Sequence, residues 1–329
     1  MLNEGKKPYA SPSIGVYCLA NDAVIEWFQM FVRSFRHFNP RLPLTVIPYN
    51  TEVSQLKQLA AQFDFQLLPE SAVAPFDALE PTVMQLGVHA GMFRKWASFF
   101  GDYDEFIFFD ADIAVTLPLD EIFCAFAKCE RDFLYFDTDI TMVYEPEFVA
   151  EMQAGFQSPG FNAGAYVSRK GVVSRERLWQ KAAEAAAVRK MFRPIQDQPF
   201  LNYLMDTLPR RIAHVNTLLP KLSLKPWARA RFQLDAEHDR MLDAEGRLMP
   251  FIHWAGCGYP TMVRPEIFLK FRTLGMTPIE RMNYQRKFYR LRFQKKLKAR
   301  LLKSKLFGSL LAARDRRTQE KQRRALPLV

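Results

Sequence analysis

The sequence predicts an α/β fold, a Rossmann-like, mostly parallel sheet with helices on both faces, and three observations predict it. Short apolar runs rich in β-formers recur at 14–20, 44–47 and 106–109. Stretches with helical periodicity separate them, and this β-α-β alternation implies parallel strands joined by right-handed crossovers. The run Phe106-Ile107-Phe108-Phe109 is apolar at every position, as expected of a strand buried on both faces of a parallel sheet.

The elements follow in order. A first strand at 14–20 ends at Asn21-Asp22, and a helix over 23–38 is stopped by Asn39-Pro40. A strand at 44–47, a helix over 53–63 and a short strand at 65–68 continue the alternation. A helix over 84–100 leads into the 106–115 segment, in which Asp110 and Asp112 stand where the apolar strand ends. Residues 133–136 read as a strand, as do 161–167, entered through Ser158-Pro159-Gly160. Residues 175–192 read as a helix rich in Ala and charge. Beyond Asp197 the pattern is less regular, punctuated by Pro209, Pro220, Pro226 and Pro250, and there is no internal repeat.

Composition narrows the class. With 329 residues, 49% hydrophobic content and 29 Phe, the chain is expected to fold around a large core. No apolar run approaches the roughly 18–20 residues of a membrane span, and the first eight residues lack the apolar core of a signal peptide. The four cysteines make neither a CxxC pair nor a zinc spacing. Cys124 and Cys129 are expected to be buried free thiols, and the whole fits a reducing cytoplasm. The net charge of +11 is unevenly spread: residues 281–329 hold seventeen Lys or Arg against Asp315 and Glu320, a net +15, which leaves −4 for the rest. Such asymmetry points to a partner of opposite sign for the tail. The expected organisation is a leader at 1–13, a catalytic domain at 14–279 and a basic, amphipathic helical tail at 280–329.

The chemistry is expected to centre on Asp110-Ala111-Asp112. Ligands of open α/β sheets collect at the carboxyl ends of strands, and two hard oxygen donors there suit Mn²⁺ or Mg²⁺ completed by substrate phosphates. The plain alternative is that the pair caps a turn.

Three further motifs stand downstream: Phe161-Asn162-Ala163-Gly164, then Gln196-Asp197-Gln198-Pro199-Phe200-Leu201-Asn202, then Ile252-His253-Trp254-Ala255-Gly256. In this order, and over roughly 14–259, the chain resembles the GT-A glycosyltransferases, most closely the family-eight type that includes glycogenin and bacterial lipopolysaccharide sugar transferases. The resemblance implies a GT-A fold and a nucleotide-sugar donor, with UDP as the nucleotide, transferred with retention to a glycan, lipid-linked or other acceptor. It implies that Asp110, Asp112 and His253 hold the metal, that Asn162 and Gly164 lie beside the donor sugar, and that Asp197 and Gln198 face the transferred sugar as candidate catalytic groups. Asn21 and Asp22 would contact the nucleotide base. The chain departs from the family where a Lys-Pro-Trp normally follows the His-x-x-Gly: Cys257-Gly258-Tyr259-Pro260 stands there. A Lys225-Pro226-Trp227 occurs upstream of His253 instead, so Lys95, Arg94 or Arg264 becomes the candidate phosphate cation.

Glycosyl transfer builds negative charge on the departing diphosphate, which a divalent ion offsets. Asn162, Asp197 and Gln198 suit sugar hydroxyls, and each missing partner there costs about 1–3 kcal/mol. A haloacid-dehalogenase-type phosphatase also opens with D-x-D, but asks for Thr or Val where Ala114 stands. A sugar nucleotidyltransferase wants a Gly-rich basic loop where Ala20-Asn21-Asp22-Ala23 stands. A catalytically silent, glycosyltransferase-like binding protein is the remaining alternative. For the tail, an anionic membrane surface is the expected partner and nucleic acid the disfavoured one. The expected location is the cytoplasm, peripheral to the inner membrane face.

Overall fold

A computed structural model describes residues 13–86, 90–155, 159–194, 197–235, 237 and 239–303. Residues 1–12 of the expected leader, Ser158, Gln196 and the tail beyond 303 lie outside the described residues. The chain divides into two compact units, 1–255 and 256–329.

The first unit is built on a seven-stranded sheet. Its strands are β1 (Ile14–Ala20), β2 (Leu44–Pro48), β3 (Gln66–Leu67), β4 (Glu105–Asp110), β6 (Phe133–Tyr135), β7 (Ala165–Arg169) and β8 (Ile212–His214), in the order β3-β2-β1-β4-β7-β6-β8. The expected parallel half is present: β1 runs parallel to β2 and to β4, and β2 to β3. The other half is mixed, because β7 is antiparallel to both β4 and β6, while β6 and β8 are parallel. The helix Ile25–Phe38 buries Trp27, Phe28, Met30, Phe31, Val32 and Phe35, the single apolar face its periodicity predicts.

The apolar strand ends at Asp110, as expected; after Ala111-Asp112 the chain continues as β5 (Ile113–Val115), which leaves the main sheet to pair antiparallel with β11 (Phe251–His253). Three expectations are corrected. The helix expected over 84–100 is instead a run of 3₁₀ turns, Ala90–Phe100. In 3₁₀ geometry residues three apart eclipse, and Phe93, Trp96 and Phe99, all fully buried, are spaced to form that row. The strand expected at 161–167 begins only at Ala165. Ahead of it, the Asn202 carboxamide accepts from Phe161 N–H and donates to Phe161 C=O, both at 2.8 Å, and Asp137 accepts from Asn162 N–H at 2.8 Å. Side chains thus take the backbone groups that a strand partner would need. The thiols are free, but Cys124 is exposed and Cys129 half-buried, so burial was a wrong expectation for both. The helix at 175–192 is found as Arg175–Ala187 followed by the short turn Arg189–Met191.

The first unit also carries a small hairpin, β9 (Phe232–Asp235) with β10 (Arg240–Asp243). In the second unit the helices Pro265–Arg272 and Pro278–Lys303 pack through Phe268 and Phe288, whose rings stack at 5.7 Å, with Tyr259 beside both. Arg292 donates to the Pro260 and Met262 carbonyls at 2.6 and 2.9 Å. No helix among the described residues is long and apolar enough to cross a membrane.

Candidate active site

The break after β4 places Asp110 at the carboxyl end of the sheet's central strand and Asp112 one turn beyond. The β5–β11 ribbon then carries His253 back to them: His253 pairs with Ile113, and Trp254 N–H donates to the Asp112 carbonyl at 3.0 Å. Possible ligand atoms of Asp110, Asp112 and His253 lie within 4.8 Å of one another, the one such cluster among the described residues. His253 Nε2 stands 3.2 Å from Asp112 Oδ1. Two carboxylates and an imidazole in this arrangement fit Mn²⁺ or Mg²⁺. Burial alone would lower the His253 pKa, but Asp112, by charge and hydrogen bond, together with Asp110 and Asp137, carries it above its ordinary value.

Gly164 makes this proximity possible. A Cβ there would run into His253 Cε1 and come within 2.8 Å of both Asn162 Oδ1 and Asp110 Oδ2. Its carbonyl also accepts from Asp110 N–H at 2.8 Å.

Lys95 lies behind the carboxylates, only 1% exposed. Its Nζ is 2.7 Å from Asp197 Oδ2, 3.5 Å from Asp110 Oδ1 and 3.1 Å from the Ala163 carbonyl, with the Phe108 ring centroid at 4.9 Å. Burial would lower its pKa, but the two carboxylates outweigh that and raise it. For Asp110, burial raises the pKa, Lys95 opposes the rise, and Asp112 and Asp197 add to it. Lys95 therefore ties the Asp110-Asp112-His253 cluster to Asp197. Asp197 opens the helix Gln198–Thr207 without a side-chain capping bond; its carboxylate faces Lys95 instead.

Asn162 and Gln198 are bonded to each other, Asn162 Nδ2 donating to Gln198 Oε1 at 2.9 Å. Asn162 Oδ1 accepts from Gly164 N–H at 2.8 Å, and Gln198 Nε2 donates to the Met142 carbonyl at 2.9 Å. The structure thus brings Asp110, Asp112, His253, Lys95, Asp197, Asn162, Gly164 and Gln198 together.

The other sequence-predicted residues are otherwise engaged. Arg94 is buried and grips Asp77 through Nε and Nη2 and Glu70 through Nη1 and Nη2, at 2.7–3.0 Å. With its charge met by two carboxylates it is a poor phosphate cation. Asn21 caps the turn Asp22–Val24, accepting from Val24 N–H at 3.3 Å. Asp22 accepts from Gln55 N–H and Leu56 N–H at 3.0–3.1 Å, so it caps the helix Ser54–Phe63 from the turn after β1. Arg264 belongs to the second unit, where it precedes the helix Pro265–Arg272.

Sequence reasoning gave no role to three residues. Asp137 stands two residues beyond the end of β6, as Asp110 stands at the end of β4. It is 6% exposed, accepts from Asn162 N–H, and burial pushes its carboxyl up to about 6, against the opposing Asn162 N–H and His253. Its signal was available: Phe133-Leu134-Tyr135-Phe136-Asp137 repeats the apolar-strand-then-Asp pattern of 106–110. Asn202 positions Phe161 and also donates to the Gln198 carbonyl at 2.9 Å. Trp227, of the upstream Lys225-Pro226-Trp227, stacks on His253 with ring centroids 5.6 Å apart and planes 17° apart. Sequence order had set that stretch apart from the site.

No protein-family model and no curated protein sequence matches the chain. Solved structures do. One, of an active-site mutant of LgtC, has a TM-score of 0.52 at 15% identity and covers 81% of this chain and 98% of that one. Another, of galactosyltransferase LgtC in complex with donor and acceptor sugar analogues, has a TM-score of 0.50 at 14% identity with the same coverage. This chain has the GT-A fold. The resemblance read from the four motifs thus reappears in three dimensions, with a family-eight enzyme among the similar structures.

Proposed function

We propose that the protein is a metal-dependent glycosyltransferase that moves a hexose from a nucleotide-sugar, with UDP as the nucleotide, to a glycan, lipid-linked or other acceptor. The observation that carries this reading is the juxtaposition, at one end of the sheet, of two carboxylates and an imidazole with the polar side chains of Asp197, Asn162 and Gln198. Asp110, Asp112 and His253 would hold Mn²⁺ or Mg²⁺, which when bound offsets charge on the departing diphosphate. The similar structures with sugar analogues bound support the donor class.

In this reading Asp197 is oriented by Lys95 to accept hydrogen bonds from the sugar hydroxyls. Gln198 has its amide oxygen occupied by Asn162 Nδ2 and Ala163 N–H, at 2.9 and 3.3 Å, so it acts as a positioning group and not as a nucleophile. Asp197 is neutralised by Lys95 at 2.7 Å, which makes it a weak nucleophile too. Both features favour a front-face route with retention, in which no side chain bonds to the anomeric carbon. Asp137, which accepts from Asn162 N–H at 2.8 Å, is the carboxylate proposed to receive the acceptor proton.

Calorimetric titration of UDP and UDP-sugars, with and without Mn²⁺, tests the reading. Metal-dependent binding that disappears in Asp112→Asn is expected; binding indifferent to the metal and to that substitution contradicts it. Metal-dependent binding with no turnover would favour the silent binding protein.

We propose a cytoplasmic location and peripheral contact with an anionic membrane through 281–329. In support, 281–303 holds ten Lys or Arg and no acid. Met282, Tyr289, Phe293 and Leu297 are exposed on one side of that helix at spacings of seven, four and four. The full chain is expected to sediment with phosphatidylserine-containing vesicles and not with phosphatidylcholine alone. Equal sedimentation of wild type and Phe293→Glu/Leu297→Glu would remove this face from the account.

A further inference from the structure

His253 is held from more than one side, and one of its supports lies outside every motif that marks the site. Its backbone is bracketed. On one edge β11 pairs with β5, which carries the chain on from Asp112. On the other, Trp227 makes a parallel bridge to His253: His253 N–H donates to the Pro226 carbonyl and Ala228 N–H to the His253 carbonyl, both at 2.8 Å. The imidazole itself meets three neighbours. Nε2 faces Asp112 Oδ1 at 3.2 Å, Cε1 abuts the space where Gly164 lacks a Cβ, and one face lies along the Trp227 indole, tilted by 17° at 5.6 Å. His253 is 5% exposed and Trp227 is half-buried, and the indole covers one face of the imidazole.

We propose that Trp227 is a positioning residue of the metal site, fixing the ring plane of His253 and keeping water from its face. The proposal rests on the reading of Asp110, Asp112 and His253 as metal ligands. A ring held by one hydrogen bond can still rotate about its Cβ–Cγ bond; a flat apolar surface against its face removes that freedom before the ion arrives. Supports of this outer kind commonly set metal affinity by 10–100-fold, and offset aromatic stacks at 4.5–7 Å are net attractive. Pro226 and Trp227 reach His253 from a stretch well before it in the chain.

The test is Mn²⁺ binding by the full chain, read from the electron paramagnetic resonance signal of the free ion. Wild type, Trp227→Leu, Trp227→Phe and His253→Ala are compared, with urea unfolding of each. Trp227→Leu keeps apolar volume without a flat face; it is expected to bind Mn²⁺ about 10-fold or more weakly, and Trp227→Phe to keep most of the affinity. In the metal-free protein the His253 ring signals, assigned by their loss in His253→Ala, are expected to broaden or shift in Trp227→Leu alone. Folded Trp227→Leu that binds Mn²⁺ like wild type overturns the proposal and leaves the metal reading intact. Wild type that binds no Mn²⁺ overturns both. Should Trp227→Leu fail to fold, Trp227→Met replaces it with the same expectations.

Discussion

Replacing Lys95 with Met removes a buried cation and leaves its carboxylates behind, and the size of the loss follows from the geometry. Met keeps the unbranched apolar stem, so little packing changes. What disappears is a 2.7 Å ion pair to Asp197, a 3.5 Å contact to Asp110 and the donor to the Ala163 carbonyl. Breaking a buried pair by removing one partner costs about 3–5 kcal/mol, because the surviving charge is stranded away from water. With two carboxylates dependent on one ammonium, the Lys95→Met loss should reach that range. Removing the stranded charge as well, in Lys95→Met/Asp197→Asn, should recover much of it, with a coupling energy of about 2–3 kcal/mol. The assay is urea unfolding of the wild type, both single variants and the double variant at neutral pH. The pKa of Lys95 is raised above its ordinary 10.5. Its contribution is therefore complete below pH 10.5 and is lost as pH rises through the folded value. A Lys95→Met loss under about 1 kcal/mol, the scale of an exposed pair, or strict additivity in the double variant would refute the reasoning.

Asp137 tests the opposite sign. Its folded pKa of about 6 exceeds the ordinary 3.8, so its ionisation destabilises the fold increasingly as pH rises from 3.8 to about 6. Asp137→Asn should match wild-type stability below pH 3.8 and exceed it by up to about 3 kcal/mol above pH 6, measured by urea unfolding across that range; a constant difference would contradict the assignment. Gly164→Ala should abolish Mn²⁺ binding at a cost of about 1–3 kcal/mol in stability, since its Cβ needs the space of His253, Asn162 and Asp110; calorimetry showing wild-type affinity would refute this. Asp22→Ala should cost about 0.5–2 kcal/mol through lost capping of the helix Ser54–Phe63, and thermal melts together with unchanged affinity for UDP in the presence of Mn²⁺ would separate this from a nucleotide-binding role.

The legible part of the molecule is the part whose partners are near in sequence or whose pattern is dense. β1, β2 and the helices after them were readable because apolar residues repeat with one period over each segment. The Asp110-Ala111-Asp112 break was visible as two carboxylates in an apolar run. The end of the apolar run did not reveal that β5 turns away to a ribbon with β11, since that pairing joins residues far apart in the chain. Residues 161–164 looked like strand because they lead straight into the strand-like Ala165-Tyr166-Val167; what holds them is the carboxamide of Asn202 and the carboxylate of Asp137, tertiary partners that no local window contains. Arg94 and Lys95 are neighbours with similar chemistry in sequence. Only the fold separates an arginine clamped by Glu70 and Asp77 from a lysine facing Asp110 and Asp197. Trp227 was set aside because it precedes His253, and the bridge between them disregards that order.

The most direct test of the central claim is release of nucleoside diphosphate from a panel of nucleotide-sugars with Mn²⁺, comparing wild type with Asp112→Ala. Slow hydrolysis of the donor needs no acceptor. The account predicts turnover of one donor, lost on chelation and in the variant. Turnover that survives both, or no turnover with any donor alongside no metal-dependent nucleotide binding, would contradict it.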